Sequence, residues 1–191
     1  NQSMKIILGS QSSGRKQILE KMGYEFNVMP ADIDEKAIRF DDPVKLTLAL
    51  ANAKADALLS RIKEPVILIT SDQVVVCEGK ILEKPESESQ VKEYLDMYRV
   101  HPAETVTSVT VVNTTSGKRA DGTDIAKIWF SAIPDEVIQQ YVLTKDPFYN
   151  AGAFSHEHPL LAPYVVRIDG ESESITGLPR RLTEELINRI R

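Results

Sequence analysis

The segment Val66–Cys77 constrains the fold more than any other part of the sequence. It is an apolar, β-branched run entered through Pro65, and its first half is typical of a strand buried inside an α/β sheet. Asp72 interrupts this run. A buried carboxylate is costly unless a cation or a hydrogen-bond donor meets it. We therefore expect Asp72 to be either a partner in a structural ion pair or the centre of a functional site.

Predicted strands alternate with predicted helices along the rest of the chain. Further strands are expected at 5–9, 24–29, 105–114, 124–130 and 164–168, and helices at 15–22, 43–60, 87–97, 134–143 and 182–190. A hairpin turn at Ser116–Lys118 joins two of the strands, which predicts a mixed sheet. We predict one α/β domain over residues 4–191 and interpret Asn1–Ser3, before Met4, as a remnant of cloning.

Composition narrows the range of partners. The net charge of the 191 residues is −5 and the pI is about 5.3, whereas proteins that bind nucleic-acid polymers carry broad basic surfaces. A small phosphorylated ligand needs only a local cluster of cations. Cys77 is the single cysteine, which excludes an intramolecular disulfide and fits a reducing compartment. With no apolar run of membrane-spanning length and no signal-peptide pattern, we expect a cytoplasmic protein without a membrane partner.

The polar turn Ser10–Arg15 is the first candidate for an anion site. A turn rich in serine and glycine that leads from a strand into a helix directs backbone N–H groups toward one point, where the helix dipole also favours an anion. It lacks the closing Gly-Lys-Ser/Thr of a Walker loop. The alternative is a serine-capped helix with an exposed arginine, and the turn alone favours that alternative.

Lys54 and the acidic loop around Glu35 are two further candidates. Lys54 lies in an i+4 row with leucines at 46, 50 and 58. This pattern alone favours an ammonium that extends to the helix edge, and the alternative is that it meets an anion in a cleft. The loop Asp32–Glu35 lacks the spacing of an EF-hand. It is either a solvated loop or supplies one carboxylate that holds Mg²⁺ together with Asp72.

Two further groups, Lys84-Pro85 and His156–His158, could each be an ordinary surface feature rather than part of a site. Pro85 fixes an extended turn that presents Lys84 stiffly, although Lys84 could equally be a common surface lysine. The run His156–His158 lacks the helical zinc-binding pattern and is more typical of a polar loop. Cys77 has no cationic neighbour in sequence to activate it as a nucleophile.

Together these segments resemble the Maf-like nucleoside triphosphate pyrophosphatases, nearly from end to end. The resemblance rests on six motifs in order: Ser10-Gln11-Ser12-Ser13-Gly14-Arg15, Asp34-Glu35, Ala51-Asn52-Ala53-Lys54-Ala55, Ser71-Asp72-Gln73-Val74 with Lys84-Pro85, Ala151-Gly152-Ala153-Phe154, and Gly177-Leu178-Pro179. Each motif alone is weak, but six in order at suitable spacing are a strong signal.

The resemblance implies an inosine-triphosphatase-like fold, with an elongated mixed β-sheet flanked by helices and two lobes around an active-site cleft. It implies hydrolysis of a nucleoside triphosphate to the monophosphate and pyrophosphate by a cytoplasmic homodimer that removes non-standard nucleotides. The implied cofactor is a divalent metal (Mg²⁺, with Mn²⁺ or Co²⁺ as alternatives). The implied roles are metal binding by Glu35 and Asp72, catalysis by Asp72, Glu35 and Lys84, and substrate binding by Ser10, Arg15 and Lys54.

Three specificity positions of the family correspond to Gly14, Gln73 and Glu157. The branch acting on 7-methyl-GTP typically has Trp, Gln and Glu there, and the branch acting on dTTP and UTP has Arg, Thr and Gln. This chain resembles the first branch at Gln73 and Glu157, and a carboxylate can accept from both N1–H and the exocyclic amine of guanine. It departs from both branches at Gly14, which offers no ring for stacking on a base.

Three alternatives remain open at this point. The first is a dTTP/UTP pyrophosphatase of the same family. The second is a nucleotide-binding regulator of cell division without activity, although every catalytic position of the family is filled here. The third is a hydrolase of sugar phosphates, which would release orthophosphate rather than pyrophosphate.

Overall fold

The computed structural model of the protein describes residues 4–191, so the interpretation of residues 1–3 as a cloning remnant lies outside the described residues. The strands are β1 (Lys5–Leu8), β2 (Phe26–Val28), β3 (Val66–Cys77), β4 (Lys80–Leu82), β5 (Ala103–Asn113), β6 (Arg119–Phe130) and β7 (Val165–Asp169). The α-helices are α1 (Ser13–Lys21), α2 (Pro43–Leu59), α3 (Glu88–Met97), α4 (Asp135–Leu143), α5 (Ser172–Thr176) and α6 (Arg180–Ile190). Short 3₁₀ turns cover Glu35–Ala37, Asp146–Tyr149, Ala151–Ala153 and Ala162–Tyr164.

The strands form a seven-stranded sheet in the order β2-β1-β3-β5-β6-β7, with β4 paired to β3. Strand β1 is parallel to both β2 and β3, whereas the β3–β4 and β6–β7 pairs are antiparallel. The prediction of a mixed α/β sheet flanked by helices is therefore confirmed. The single domain and the cleft stay predictions.

Some elements differ from those expected. Strand β3 continues through Asp72 to Cys77 and is buried along nearly its whole length, whereas the prediction covered its first half. Strand β6 begins at Arg119 rather than at residue 124. Helix α5 and strand β4 were not predicted, because five and three residues are too few to show a periodic pattern.

By chain contacts the protein divides into two compact units. Of the described residues, the first unit comprises 4–72, 107–124 and 177–191, and the second comprises 73–106 and 125–176. Strand β3 passes from the first to the second unit after Asp72. Asp72 and Gln73, neighbours in sequence, therefore belong to different units.

The first unit covers both faces of β1 and β3. Ile6, Leu8, Ile67 and Ile69 belong to one hydrophobic cluster, with residues of α1 and α6. The intervening residues Ile7, Val66 and Leu68 belong to another, with Ala55 and Leu58 of α2. Successive side chains of a strand point to opposite faces, so two covered faces require the continuous apolar run that the sequence shows.

The second unit has one core, in which α3 and α4 pack with residues of β6. Its centre is aromatic: the rings of Tyr98, Phe130 and Phe154 lie 5.3–5.9 Å apart between centroids. Gly152 has φ +67° and its carbonyl accepts a 2.7 Å hydrogen bond from the Tyr98 hydroxyl. A Cβ at Gly152 would lie 2.6 Å from that hydroxyl oxygen, so the Ala-Gly-x-Phe motif serves the packing of this core.

Within residues 4–191, no helix combines the length and the apolar character that crossing a membrane requires.

Candidate active site

The turn after β1 is ordered by its own serines. The Ser10 hydroxyl accepts from the backbone N–H of Ser12 at 3.1 Å, and the Ser12 hydroxyl accepts from the N–H of Arg15 at 3.3 Å. Ser12 is therefore the N-cap of α1. The serine-capped helix that the sequence left open is present, but its arginine is half-buried rather than exposed.

The guanidinium of Arg15 is fixed by the loop before α6. Its Nε donates to the Gly177 carbonyl at 2.7 Å, and its Nη1 donates to the Ser10 hydroxyl at 3.5 Å. The Ser71 hydroxyl donates to the same carbonyl at 3.1 Å. Gly177 has φ +127°, a conformation that side chains strain, and a Cβ there would lie 3.3 Å from Arg15 Nε.

The ammonium of Lys54 joins the two carboxylates that the sequence singled out. Its Nζ lies 3.0 Å from Asp72 Oδ1, 3.4 Å from Glu35 Oε1 and 3.3 Å from the Ser71 carbonyl oxygen. Side-chain exposure is 16% for Lys54 and 9% for Asp72, whereas Glu35 is half exposed. Lys54 thus meets an anion inside the protein instead of reaching solvent at the helix edge.

Burial dominates the electrostatics of this cluster. It raises the pKa of Asp72, an effect that Lys54 and Arg15 oppose and Glu35 reinforces. Burial also lowers the pKa of Arg15, against the attraction of Asp72 and Glu35. Among the described residues, Asp72 Oδ2 has no hydrogen-bond partner. One oxygen of this buried carboxylate is therefore paired, and the other is buried without a hydrogen-bond partner among the described residues.

Five predicted site residues thus lie in the first unit in one connected group: Ser10, Arg15, Glu35, Lys54 and Asp72. Gly14 is in the first turn of α1. Sequence reasoning did not assign site roles to Ser71 or Gly177. The Gly-Leu-Pro motif was the one signal available for Gly177, and Ser71 resembles an ordinary polar residue.

The second unit contains Lys84, Gln73 and Glu157. Lys84 is exposed in the bend after β4, and Pro85 beside it is buried. The Gln73 amide nitrogen donates to the carbonyls of Ser174 at 2.9 Å and Ile175 at 3.2 Å, both in α5. The amide hydrogens of Gln73 are therefore engaged by the protein itself, which sequence reasoning did not foresee.

Glu157 also contacts α5, at its first residue. Its Oε1 accepts from the Ser172 hydroxyl at 3.4 Å, and the same hydroxyl lies 2.8 Å from His156 Nε2. His156 is buried, with 6% exposure. In residues 4–191 no group of three His, Cys, Asp or Glu side chains is arranged to hold a metal ion.

The thiol of Cys77 is unsuited to nucleophilic catalysis. Burial, with the nearby charges of Glu78 and Glu104, raises the pKa of Cys77 to about 11. Because the thiolate is the reactive form, this agrees with the sequence argument against a cysteine mechanism.

The chain is similar to known proteins over nearly its whole length. The sequence model of the Maf-like protein family matches residues 5–190. A Dictyostelium discoideum protein named 7-methyl-GTP pyrophosphatase is 49% identical over 195 residues, covering 98% of each chain. A Vibrio vulnificus dTTP/UTP pyrophosphatase is 32% identical over 184 residues, covering 96% of this chain and 97% of that protein. The crystal structure of a nucleoside-triphosphatase from Mycobacterium abscessus gives a TM-score of 0.40 at 12% identity, over 69% of this chain and 75% of that one, too distant to carry an argument.

Replacing Lys54 by methionine tests the ion pair. Removing one partner of a buried pair strands the other charge, so we expect Lys54→Met to lower the free energy of unfolding by about 3 kcal/mol near pH 8. The loss in free energy of unfolding caused by Lys54→Met should be smaller at pH 5 than at pH 8. The unpaired Asp72 takes up a proton in the folded state at a higher pH than in the unfolded state, so stability falls as the pH rises above about 4. Urea unfolding at both pH values measures this.

Lys45→Met is the matched control, because Lys45 is exposed on the same helix. We expect it to change stability by less than about 0.5 kcal/mol. Equal deficits in the two variants, or a Lys54→Met deficit independent of pH, would show that Lys54 does not compensate Asp72.

Proposed function

The chain belongs to the Maf-like protein family, and we infer from that membership that it hydrolyses a nucleoside triphosphate to the nucleoside monophosphate and pyrophosphate. The observation that carries this inference is the family match over residues 5–190, together with the 49% identity to a pyrophosphatase over 98% of the chain. The cluster around Asp72 supplies groups that this hydrolysis needs.

Asp72 is the proposed general base. Hydrolysis breaks the anhydride bond between the α- and β-phosphates, and the attacking water must lose a proton. A carboxylate whose pKa is raised is a stronger base than an exposed aspartate. Its Oδ2 has no partner in the described part of the chain, and we propose that this oxygen accepts that proton. Lys54 holds Oδ1 and fixes the orientation of the carboxylate.

Arg15, Lys54 and Lys84 are proposed to neutralise the triphosphate. A protein of net charge −5 offers little general attraction for a polyanion, so local cations must supply it. Preorganised donors directed at developing charge stabilise a phosphoryl-transfer transition state. Arg15 is preorganised by the Gly177 carbonyl, and Ser10 contributes a hydroxyl beside it.

The residues present fit a divalent cation, for which we propose Glu35 and Asp72 as ligands. Mg²⁺ prefers one or two carboxylates together with substrate phosphates and water, and here the carboxylates of Glu35 and Asp72 are both within 3.4 Å of one ammonium. Such an ion would act as a Lewis acid on the phosphoryl oxygens. Mn²⁺ and Co²⁺ accept the same oxygen ligands.

The proposed substrate class is 7-methyl-GTP or another modified purine nucleotide. Gln73 and Glu157 match that branch of the family, and the relative of 49% identity bears that name. A Glu157 carboxylate can accept from both N–H groups on the guanine edge. The dTTP/UTP preference is the second candidate, because relatives of 32% identity carry that name and Gly14 matches neither branch.

We also propose a cytoplasmic homodimer that removes non-standard nucleotides. The cytoplasm is supported by the single, buried cysteine. The dimer rests on the family resemblance alone.

A panel of 7-methyl-GTP, GTP, ITP, UTP and dTTP tests the activity in the presence of Mg²⁺. We expect pyrophosphate and the monophosphate in equal amounts, with 7-methyl-GTP hydrolysed fastest. Orthophosphate as the direct product would favour a sugar-phosphate type of hydrolase. Nucleotide binding without any hydrolysis by the folded protein would favour a regulator and contradict the proposal.

Metal removal tests the cation. Treatment with EDTA should abolish hydrolysis while circular dichroism stays unchanged, and added Mg²⁺, Mn²⁺ or Co²⁺ should restore it. Full activity in EDTA would contradict roles for Glu35 and Asp72 as metal ligands.

Glu157→Gln tests base recognition. The amide loses the charge and one acceptor position, so we expect kcat/KM for guanine-type substrates to fall by the equivalent of about 1–3 kcal/mol. Turnover of UTP is the internal reference. An unchanged ratio of 7-methyl-GTP to UTP turnover would exclude Glu157 from base recognition.

A further inference from the structure

Within the second unit, the hydroxyl of Ser172 lies between two side chains of the preceding loop. It is 2.8 Å from His156 Nε2 and 3.4 Å from Glu157 Oε1, and the direct distance between that nitrogen and the carboxylate is 3.8 Å. None of the six motifs that carry the family resemblance includes His156 or Ser172. Their contacts nevertheless converge on the proposed base-reading carboxylate.

The hydrogen-bonding chemistry of Ser172, His156 and Glu157 determines which atom donates each hydrogen. An ionised carboxylate only accepts hydrogen bonds, so Ser172 donates its single hydroxyl hydrogen to Glu157. The Ser172 oxygen is then the acceptor for His156, whose Nε2 carries the hydrogen. Burial lowers the pKa of His156 although Glu157 opposes the change, which favours the neutral ring.

His156 and Glu157, which both contact the Ser172 hydroxyl, differ in how deeply they are buried. His156 is 6% exposed and therefore fixed by packing, whereas the Glu157 side chain is 62% exposed. An exposed glutamate has many rotamers, and ordering it when a base binds costs affinity. A carboxylate already held by an anchored partner loses less entropy on binding.

Helix α5 is held from another direction by Gln73. The Gln73 amide donates to the carbonyls of Ser174 and Ile175, two and three residues after Ser172. Both of the second-unit specificity positions therefore contact one five-residue helix. Gln73 fixes the backbone of α5, and the first residue of α5 holds Glu157.

We propose that Ser172 and His156 are positioning residues for base specificity. They hold the Glu157 carboxylate in the orientation in which it accepts a hydrogen bond from the exocyclic amine of a guanine-type base. This inference rests on the proposed function. It assigns to the α5 helix a role in substrate discrimination that no motif indicates, and it predicts that the effect of Ser172 passes entirely through Glu157.

The test uses the full-length protein and compares GTP with ITP, which differ only by the exocyclic amine. The ratio of their kcat/KM values measures recognition of that amine. We expect Ser172→Ala to lower the ratio by about 3- to 10-fold, the equivalent of one ordinary hydrogen bond. Ser172→Thr, which keeps the hydroxyl, should retain the ratio, and Ser155→Ala in the same loop is the matched control that should not change it.

A double-mutant cycle separates positioning from general damage. In the Glu157→Gln background, Ser172→Ala should cause no further loss. His156→Gln keeps an N–H donor and should preserve more of the ratio than His156→Leu.

The outcomes distinguish this inference from the proposed function. A wild-type protein that releases no pyrophosphate overturns both. Pyrophosphate release with a GTP/ITP ratio that Glu157→Gln leaves unchanged overturns the inference and leaves the hydrolysis standing. A Ser172→Ala loss that persists in full without Glu157 also overturns it, because the serine would then act by another route.

Discussion

The contact between Lys54 and Asp72 is the interaction on which the rest of the structure depends. Strand β3 is covered on both faces in the first unit, and a carboxylate inside such a strand would be too costly without a compensating charge. Helix α2 supplies that charge from a row that is otherwise leucine, at 3.0 Å. The pairing is incomplete, because burial still raises the pKa of Asp72 and one carboxylate oxygen has no partner within residues 4–191. An incompletely compensated buried charge is costly for stability but useful for proton transfer.

The candidate site residues of the two units are held in place by different kinds of contact. In the first unit, charged side chains are held by backbone carbonyls and by one another, as when Gly177 fixes Arg15. In the second unit, neutral donors dominate: an amide holds the backbone of α5, and a hydroxyl on α5 holds Glu157. This division matches the proposed chemistry, because a triphosphate requires charge compensation whereas discrimination between bases requires a defined pattern of donors and acceptors.

Sequence alone predicted the mixed sheet, most helix positions and the residues that gather around Asp72. The grouping of these residues came from the resemblance to the family. The patterns alone made only Asp72 and Lys54 conspicuous, as a carboxylate in an apolar strand and a lysine in a leucine row. Sequence alone did not predict the contacts made by Gly177, Ser71 and Ser172. A carbonyl acceptor has no sequence signature, serines are common on any surface, and contacts over more than 100 residues, such as that between Ser71 and Gly177, leave no periodic pattern. Helix α5 was not predicted because five residues are too few to show the amphipathic pattern that reveals longer helices.

The central claim, that the buried carboxylate of Asp72 activates the attacking water, is tested most directly by the turnover of Asp72→Asn. Asparagine keeps the shape of the side chain and can still accept from Lys54, but it cannot take up a proton at neutral pH. We expect kcat for pyrophosphate release to fall by about 10²–10⁴-fold, while circular dichroism shows a folded protein. A folded Asp72→Asn variant with the wild-type kcat would contradict the account.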